Sequence, residues 1–324
     1  MEELVALSVK HYVSDLHLCT GFGCWWRRAG QLEPAPIAGP APVLLLDRWL
    51  TPHQQQQFDL HGQLDFAVTL VNGQRLRANA FRQRLGVSLA LRILPSRCPQ
   101  LAELAPPPAL EAVLARTDGI VLVTGATGSG KSTTLAAMVA ALAGKGRHIV
   151  CLEDPVEYLH DPGHGLVQQR EVGEHCGSFA HGLRAALRED PDVILLGELR
   201  DPETIRLALT AAETGHLVLA TLHTRGACQA VSRLVDVFPA AEKNLVQAQL
   251  AESLCAVLAQ RLVAAKGGGR VAVYELLLNT LAVANLIREG KTHQLPGVLQ
   301  TGRGAGMQDF PHGLALLQAA GILG

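Results

Sequence analysis

The sequence is short of charge and has almost no imbalance of it. Its 324 residues include 28 basic and 29 acidic side chains, 18% charged in all, for a formal net charge of -1. An average globular chain carries about 25%. Disorder driven by charge is excluded. The balance also argues against coating of nucleic acid or an anionic membrane through bulk charge, although not against a local basic patch. No stretch approaches the roughly 18 apolar residues that a membrane span needs. The richest run, Thr134 to Ala143, reads as a buried helix. The opening Met-Glu-Glu-Leu lacks the basic and apolar segments of a signal peptide. Seven cysteines are scattered without a CxxC pair. Neither a zinc ribbon nor a disulfide framework is expected, and a reduced, cytoplasmic setting is. There is no repeat of fixed period and no low-complexity tract.

What is present is apolar material, 48% of the chain, and enough length for about two domains. Residues 1–104 read as a small α+β domain, 105–110 as a linker through Ala105-Pro106-Pro107-Pro108, and 111–324 as an α/β domain. In the first, a helical opening (Leu4, Val5, Leu7, Ser8) precedes a strand at Ser14 to Leu18. Three alternating segments follow, Leu64 to Val71, Arg75 to Phe81 and Val87 to Leu94, with Asn72-Gly73 as a hairpin turn. They predict an antiparallel meander with one buried face.

In the second domain, Ile120 to Thr124, His148 to Leu152, Val193 to Leu196 and Leu217 to Leu222 are short apolar runs alternating with helices. That is the pattern of a parallel sheet covered on both faces. Ala240 to Val263, after Pro239, reads as one long helix. The tail reads as a strand, Val271 to Tyr274, and short helices.

Gly125-Ala126-Thr127-Gly128-Ser129-Gly130-Lys131-Ser132 fits GxxxxGK[ST], between a buried strand and a helix starting near Thr133. Glycines let backbone N–H groups wrap phosphates, and the helix N-terminus adds partial positive charge. Lys131 is expected to reach the β/γ-phosphates of ATP, and the Ser132 hydroxyl to bind Mg²⁺. Hydrolysis also needs an acid to orient water and another to support the metal. Glu153, after the second strand, and Glu198, after the third, both sit where an open parallel sheet forms its ligand crevice. No aspartate ends the third strand, so Glu198 takes the acidic role, and Glu153 is the candidate partner for Mg²⁺. A solvated loop acid is the plain alternative for each. Asp201 and Pro202 open a helix that Gly215 closes. His216 and His223 flank the fourth strand, and His223 is a candidate for sensing the γ-phosphate or positioning Glu198.

If the last hairpin of the small domain centres near 84–85, Arg77 lies opposite Arg92. Like charges so placed repel unless an anion neutralises them. A γ-phosphate held by a neighbouring subunit is one such anion, and two solvated arginines are the alternative. Trp25-Trp26, two of the three tryptophans, read as half-buried or as a partner-binding patch.

Taken together, these residues resemble the type IV pilus retraction ATPases (PilT-like), within the type II/IV secretion ATPase superfamily. Ser14-Asp15-Leu16-His17-Leu18 resembles the family's N-terminal signature and Glu153-Asp154-Pro155-Val156-Glu157 its Asp box. Glu189 to Asp201 resembles the Walker B region, and Thr210 to His216 the His box, with Thr221-Leu222-His223-Thr224 following. The resemblance implies a PAS-like N-terminal domain and a RecA-like P-loop ATPase domain. It implies a homohexameric ring with ATP at subunit interfaces, Arg77 and Arg92 as arginine fingers, and His216 among the nucleotide-binding residues. It further implies an inner-membrane platform protein as partner and pilus disassembly as output, with the cytoplasmic ring held at the membrane by that partner. Ala282 to Glu289 resembles the retraction motif Ala-Ile-Arg-x-Leu-Ile-Arg-Glu, but Ala284 replaces its first arginine. That departure motivates a second reading, a weakly hydrolysing regulatory partner of another ATPase. A nucleic-acid motor is disfavoured by the near-neutral charge and the lack of interleaved aromatic and basic residues.

Overall fold

The computed structural model describes residues 1–28, 30–95, 97–160 and 163–323. The chain divides into two compact units, Met1–Arg97 and Cys98–Gly324. The division falls ahead of the proline stretch at 105–108, because Leu101 and Ala109 already pack on the core of the second unit.

The first unit begins with α1 (Glu2–Lys10), β1 (Val13–Cys19), β2 (Gly23–Arg28) and β3 (Gln31–Pro34). α2 (Pro42–Trp49) and α3 (Pro52–His61) follow, then β4 (Gln63–Thr69), β5 (Arg75–Gln83) and β6 (Gly86–Ile93). α3 starts where it does because Thr51 and Gln54 form a reciprocal capping box and Pro52 presets the first turn. The six strands form one antiparallel sheet in the order β3-β2-β1-β6-β5-β4. Its alternation is clean. Leu16, Leu18, Leu76, Leu89 and Leu91 are buried on one face, while Asp15, Arg77 and Arg92 point to the other.

The second unit contains α4 (Ala109–Leu114), β7 (Gly119–Thr124), α5 (Lys131–Ala143), β8 (His148–Glu153), β9 (Leu166–Glu171) and α6 (Phe179–Ala186). β10 (Val193–Leu196), α7 (Pro202–Glu213), β11 (Leu217–Leu222), α8 (Ala227–Asp236) and α9 (Ala240–Ser253) come next. β12 (Leu254–Ala264), β13 (Arg270–Leu278), α10 (Leu281–Arg288), α11 (Leu295–Thr301) and α12 (Phe310–Ala319) close the chain. The sheet order is β13-β12-β7-β11-β10-β8-β9, parallel throughout except for β12 against β13. One strand, β11, separates the loop-bearing β7 from the acid-bearing β10, the order of a RecA-like P-loop sheet. Alternate residues of β7 enter separate cores: Ile120 and Leu122 pack with α7, α8 and α9, Val121 and Val123 with α4 and α5. The sheet is therefore covered on both faces, which is why its strands lack polar alternation. No helix among the described residues is long and apolar enough to cross a membrane.

The long helix expected over Ala240 to Val263 needs correction. It ends at Ser253, and the next eleven residues are β12, paired with β7 and β13. Leu254 to Gln260 are all buried, and a short apolar run buried on both faces has no periodicity that separates strand from helix.

Candidate nucleotide site

The loop from Gly125 to Ser132 joins β7 to α5. Gly130 caps α5 at φ 90°, ψ 17°, a left-handed conformation that glycine adopts without steric cost. At Gly125 the constraint is space: a Cβ would lie 2.4 Å from the Gln260 carbonyl oxygen and 2.5 Å from Ser129 Oγ. Lys131 is buried, and its Nζ donates to the carbonyls of Gly125 (2.8 Å) and Ala126 (3.2 Å), so the ammonium lies within the loop it belongs to. Burial lowers its pKa, and the carboxylates of Glu157 and Glu198 oppose the shift.

Three side chains brace the loop from outside. Gln260 Nε2 on β12 donates to the Ser129 carbonyl at 2.7 Å. Tyr158 OH meets Thr133 Oγ1 at 2.8 Å. Thr124, the last residue of β7, bonds through Oγ1 to the carbonyl (2.6 Å) and hydroxyl (2.7 Å) of Thr224. The phosphate loop and the segment after β11 are thereby tied together.

Glu198 follows β10 and is 11% exposed. Its Oε1 lies 2.5 Å from Arg200 Nε in an ion pair, and its Oε2 lies 3.2 Å from His223 Nε2. One backbone and one side-chain bond fix this bracket. Leu199 N donates to Thr221 O at 3.0 Å, and Thr221 Oγ1 donates to the Gly197 carbonyl. Glu153 ends β8, where Oε1 accepts from Gln169 Nε2 at 3.0 Å. Lys131, Glu153, Glu198 and His223 thus all lie at the carboxyl edge of four neighbouring parallel strands, the edge at which such sheets bind ligands.

The structure does not bring His216 to this edge. It precedes Leu217, at the opposite end of β11, six strand residues or about 20 Å from the loop. Its Nδ1 instead lies 3.1 Å from the Ala211 carbonyl, at the end of α7. A role for His216 at its own chain's nucleotide is therefore corrected. Asp201 does cap α7, accepting from Thr204 N at 2.8 Å. Burial alone would raise the Asp201 pKa, but the N–H and hydroxyl of Thr204 and the N–H groups of Asp201 and Glu203 together hold it low.

In the first unit Arg77 and Arg92 are directly paired across β5 and β6. Trp26 is core, with Nε1 donating to Glu33 Oε1 at 2.9 Å, and Trp25 is half-buried. Sequence reasoning missed Arg200, Tyr158 and Gln260. Arg200 was signalled by its place two residues after Glu198. Gln260 was hidden because its strand read as helix.

Comparison with known proteins agrees with this layout. Residues 61–267 match the family described as Type II/IV secretion system protein. An Escherichia coli protein described as uncharacterized, YggR, is 65% identical over 311 residues, 96% of this chain and 95% of its own. The type IV pilus retraction ATPase PilT of Pseudomonas aeruginosa is 45% identical over 325 residues, 99% of this chain and 94% of its own. The crystal structure of the pilus retraction motor PilT with bound ADP aligns at TM-score 0.89 and 40% identity, covering 99% of this chain and 94% of that one. The chain belongs to the type II/IV secretion system protein family, in its PilT-like group of type IV pilus ATPases.

Proposed function

We propose that this protein is an ATP-hydrolysing subunit of a homohexameric motor of the pilus-retraction type. The observation that carries the reading is Glu198, held by Arg200 and His223 at the carboxyl edge of the sheet within electrostatic reach of Lys131. In this reading the N–H groups of residues 125–133 cradle the phosphates and Lys131 reaches the β/γ-phosphates. Glu198 orients the attacking water, and His223 steadies Glu198. The Ser132 hydroxyl and Glu153 carboxylate are hard oxygen donors that suit Mg²⁺, which neutralises phosphate charge when bound. No cluster of three or more His, Cys, Asp and Glu that could hold a metal exists among the described residues. Mg²⁺ would therefore depend on nucleotide oxygens and water for its remaining ligands. Arg77 and Arg92 act in trans, on ATP bound by a neighbouring subunit. The partner is an inner-membrane platform protein, which holds the cytoplasmic ring at the membrane and transmits its motion to the pilus.

The test is ATP turnover by the purified chain, with and without Mg²⁺, beside Glu198→Gln. Mg²⁺-dependent turnover that falls by about 10² to 10⁴ in the variant, with ATP still bound, supports the reading. Equal turnover in both refutes it.

Ala284, on the half-buried side of α10, favours the second reading, a regulatory partner in mixed rings. Its distinguishing result is nucleotide binding with negligible turnover alone, together with capture of a second ATPase of the same family.

A further inference from the structure

We propose that Gln260 is a positioning residue that sets the shape of the phosphate loop and thereby the affinity for the nucleotide's phosphates. This rests on the phosphate-loop reading and assigns part of its affinity to a strand outside the loop.

Gln260 is 1% exposed, on the strand next to β7 and one residue past the Ala259–Thr124 pairing. Burying an amide costs free energy unless its polar atoms are bonded. Only one of them is. Nε2 donates to the Ser129 carbonyl at 2.7 Å, while Oε1 has no partner among the described residues, nor does the buried Ser129 Oγ beside the loop. A methionine or leucine would fill similar space without desolvating an acceptor. What the amide adds over such a side chain is its single bond.

That bond has a definite consequence. In a planar trans peptide the C=O and the following N–H point in opposite directions. Pinning the Ser129 carbonyl onto Gln260 turns the Gly130 N–H away from β12, into the hollow of the loop where phosphate oxygens are to be met. The same residue supplies the floor of the loop. Its carbonyl oxygen excludes a side chain at Gly125, and its Nε2 would lie 3.1 Å from a Cβ at Gly130. Gln260 therefore holds one donor of the cradle in its binding orientation before nucleotide arrives. Preorganisation of this kind appears in affinity, because the loop need not be ordered at the moment of binding.

The test uses the full chain with Gln260→Met, which keeps volume and loses the donor, and Gln260→Glu, which keeps shape and offers only acceptors. ADP and ATP affinities are measured by calorimetry, with kcat at saturating ATP and the melting temperature without nucleotide. The expected result is affinity weakened about tenfold or more in both variants. kcat should stay within about threefold, and the nucleotide-free melting temperature of Gln260→Met should be no lower than wild type. Affinities within twofold of wild type overturn the proposal. So does a loss that tracks a fall in the nucleotide-free melting temperature, since a packing role alone would give that. Lys131→Ala separates the two levels. If it binds nucleotide like wild type, the phosphate-loop reading itself fails, and this proposal with it. If it loses binding while both Gln260 variants retain it, only this proposal fails.

Discussion

Arg92 and Asp15 face each other across the antiparallel pairing of β1 and β6, and Arg92 Nε donates to Asp15 Oδ1 at 3.0 Å. On its other side Arg92 faces Arg77. Two arginines opposite each other on a sheet repel, and Asp15 is an anion paired with Arg92. The Arg92 side chain remains 58% exposed despite the ion pair. An exposed pair of this kind contributes little stability on its own.

If Arg77 and Arg92 reach the nucleotide of a neighbouring subunit, Arg77→Ala and Arg92→Ala lower kcat by on the order of 10³, the scale of an arginine finger. ATP affinity stays within about twofold, because the loop belongs to the other subunit. Steady-state turnover with calorimetry on the same preparations checks both halves. Wild-type turnover in both variants removes the fingers from the mechanism and leaves Asp15–Arg92 as a surface ion pair.

His223 supplies one of the two contacts that hold Glu198. Losing it leaves Arg200 as the remaining partner, so His223→Asn should lower kcat roughly tenfold, about the effect of 1.4 kcal/mol at the transition state. Residues that act as one unit are not additive. The double variant with Glu198→Gln should be no slower than Glu198→Gln alone. A double variant slower by the product of the two single effects would mean that His223 acts independently of Glu198.

Much of this arrangement was legible in the sequence, and what was not shares a physical cause. The phosphate loop declares itself through residue types that chemistry demands, and the Arg77–Arg92 register follows from strand alternation and a short turn at 84–85. β7, β10 and β11 are apolar runs flanked by glycine or charge, and they lie where those runs do. β12 failed because α9 flows into it without a break, and Leu254 to Gln260 are buried whichever element they form. Gln260 failed with it, since a lone buried amide has no sequence signature. β2, α2 and α3 were not read, and the proline-rich stretch Glu33 to Pro42 reads as a loop although β3 ends within it; α3 exposes most of its polar surface. His216 shows the limit of a motif: a histidine beside a nucleotide-binding strand is informative only once the end of the strand is known.

Glu275 offers a test of the sheet's far edge through pH. Its Oε1 accepts the Ala227 N–H at 2.7 Å and so caps α8, whose own N-cap, Gly226, has no side chain to do so. Burial raises its pKa. The Ala227 N–H opposes the shift, the Asp309 carboxylate adds to it, and Arg261 and the Phe310 N–H oppose it. The folded chain therefore keeps this proton to higher pH than the unfolded chain does. Across that interval the folded state binds more protons, so stability falls as pH rises from the ordinary carboxylate range to the raised folded value, and is flat above it. Glu275→Gln retains a carbonyl to accept from Ala227 and cannot ionise, while Asp309 and Arg261 stay as they are. Its melting temperature relative to wild type should be level below the carboxylate range, climb through the interval and stay high at neutral pH. Glu275→Ala loses the cap itself, at a cost of ~1 kcal/mol, and so should lie below Glu275→Gln at every pH. Melting curves of the three proteins from pH 4 to pH 8 decide it. A Gln-minus-wild-type difference that is constant, or that shrinks as pH rises, shows that Glu275 does not carry the proton.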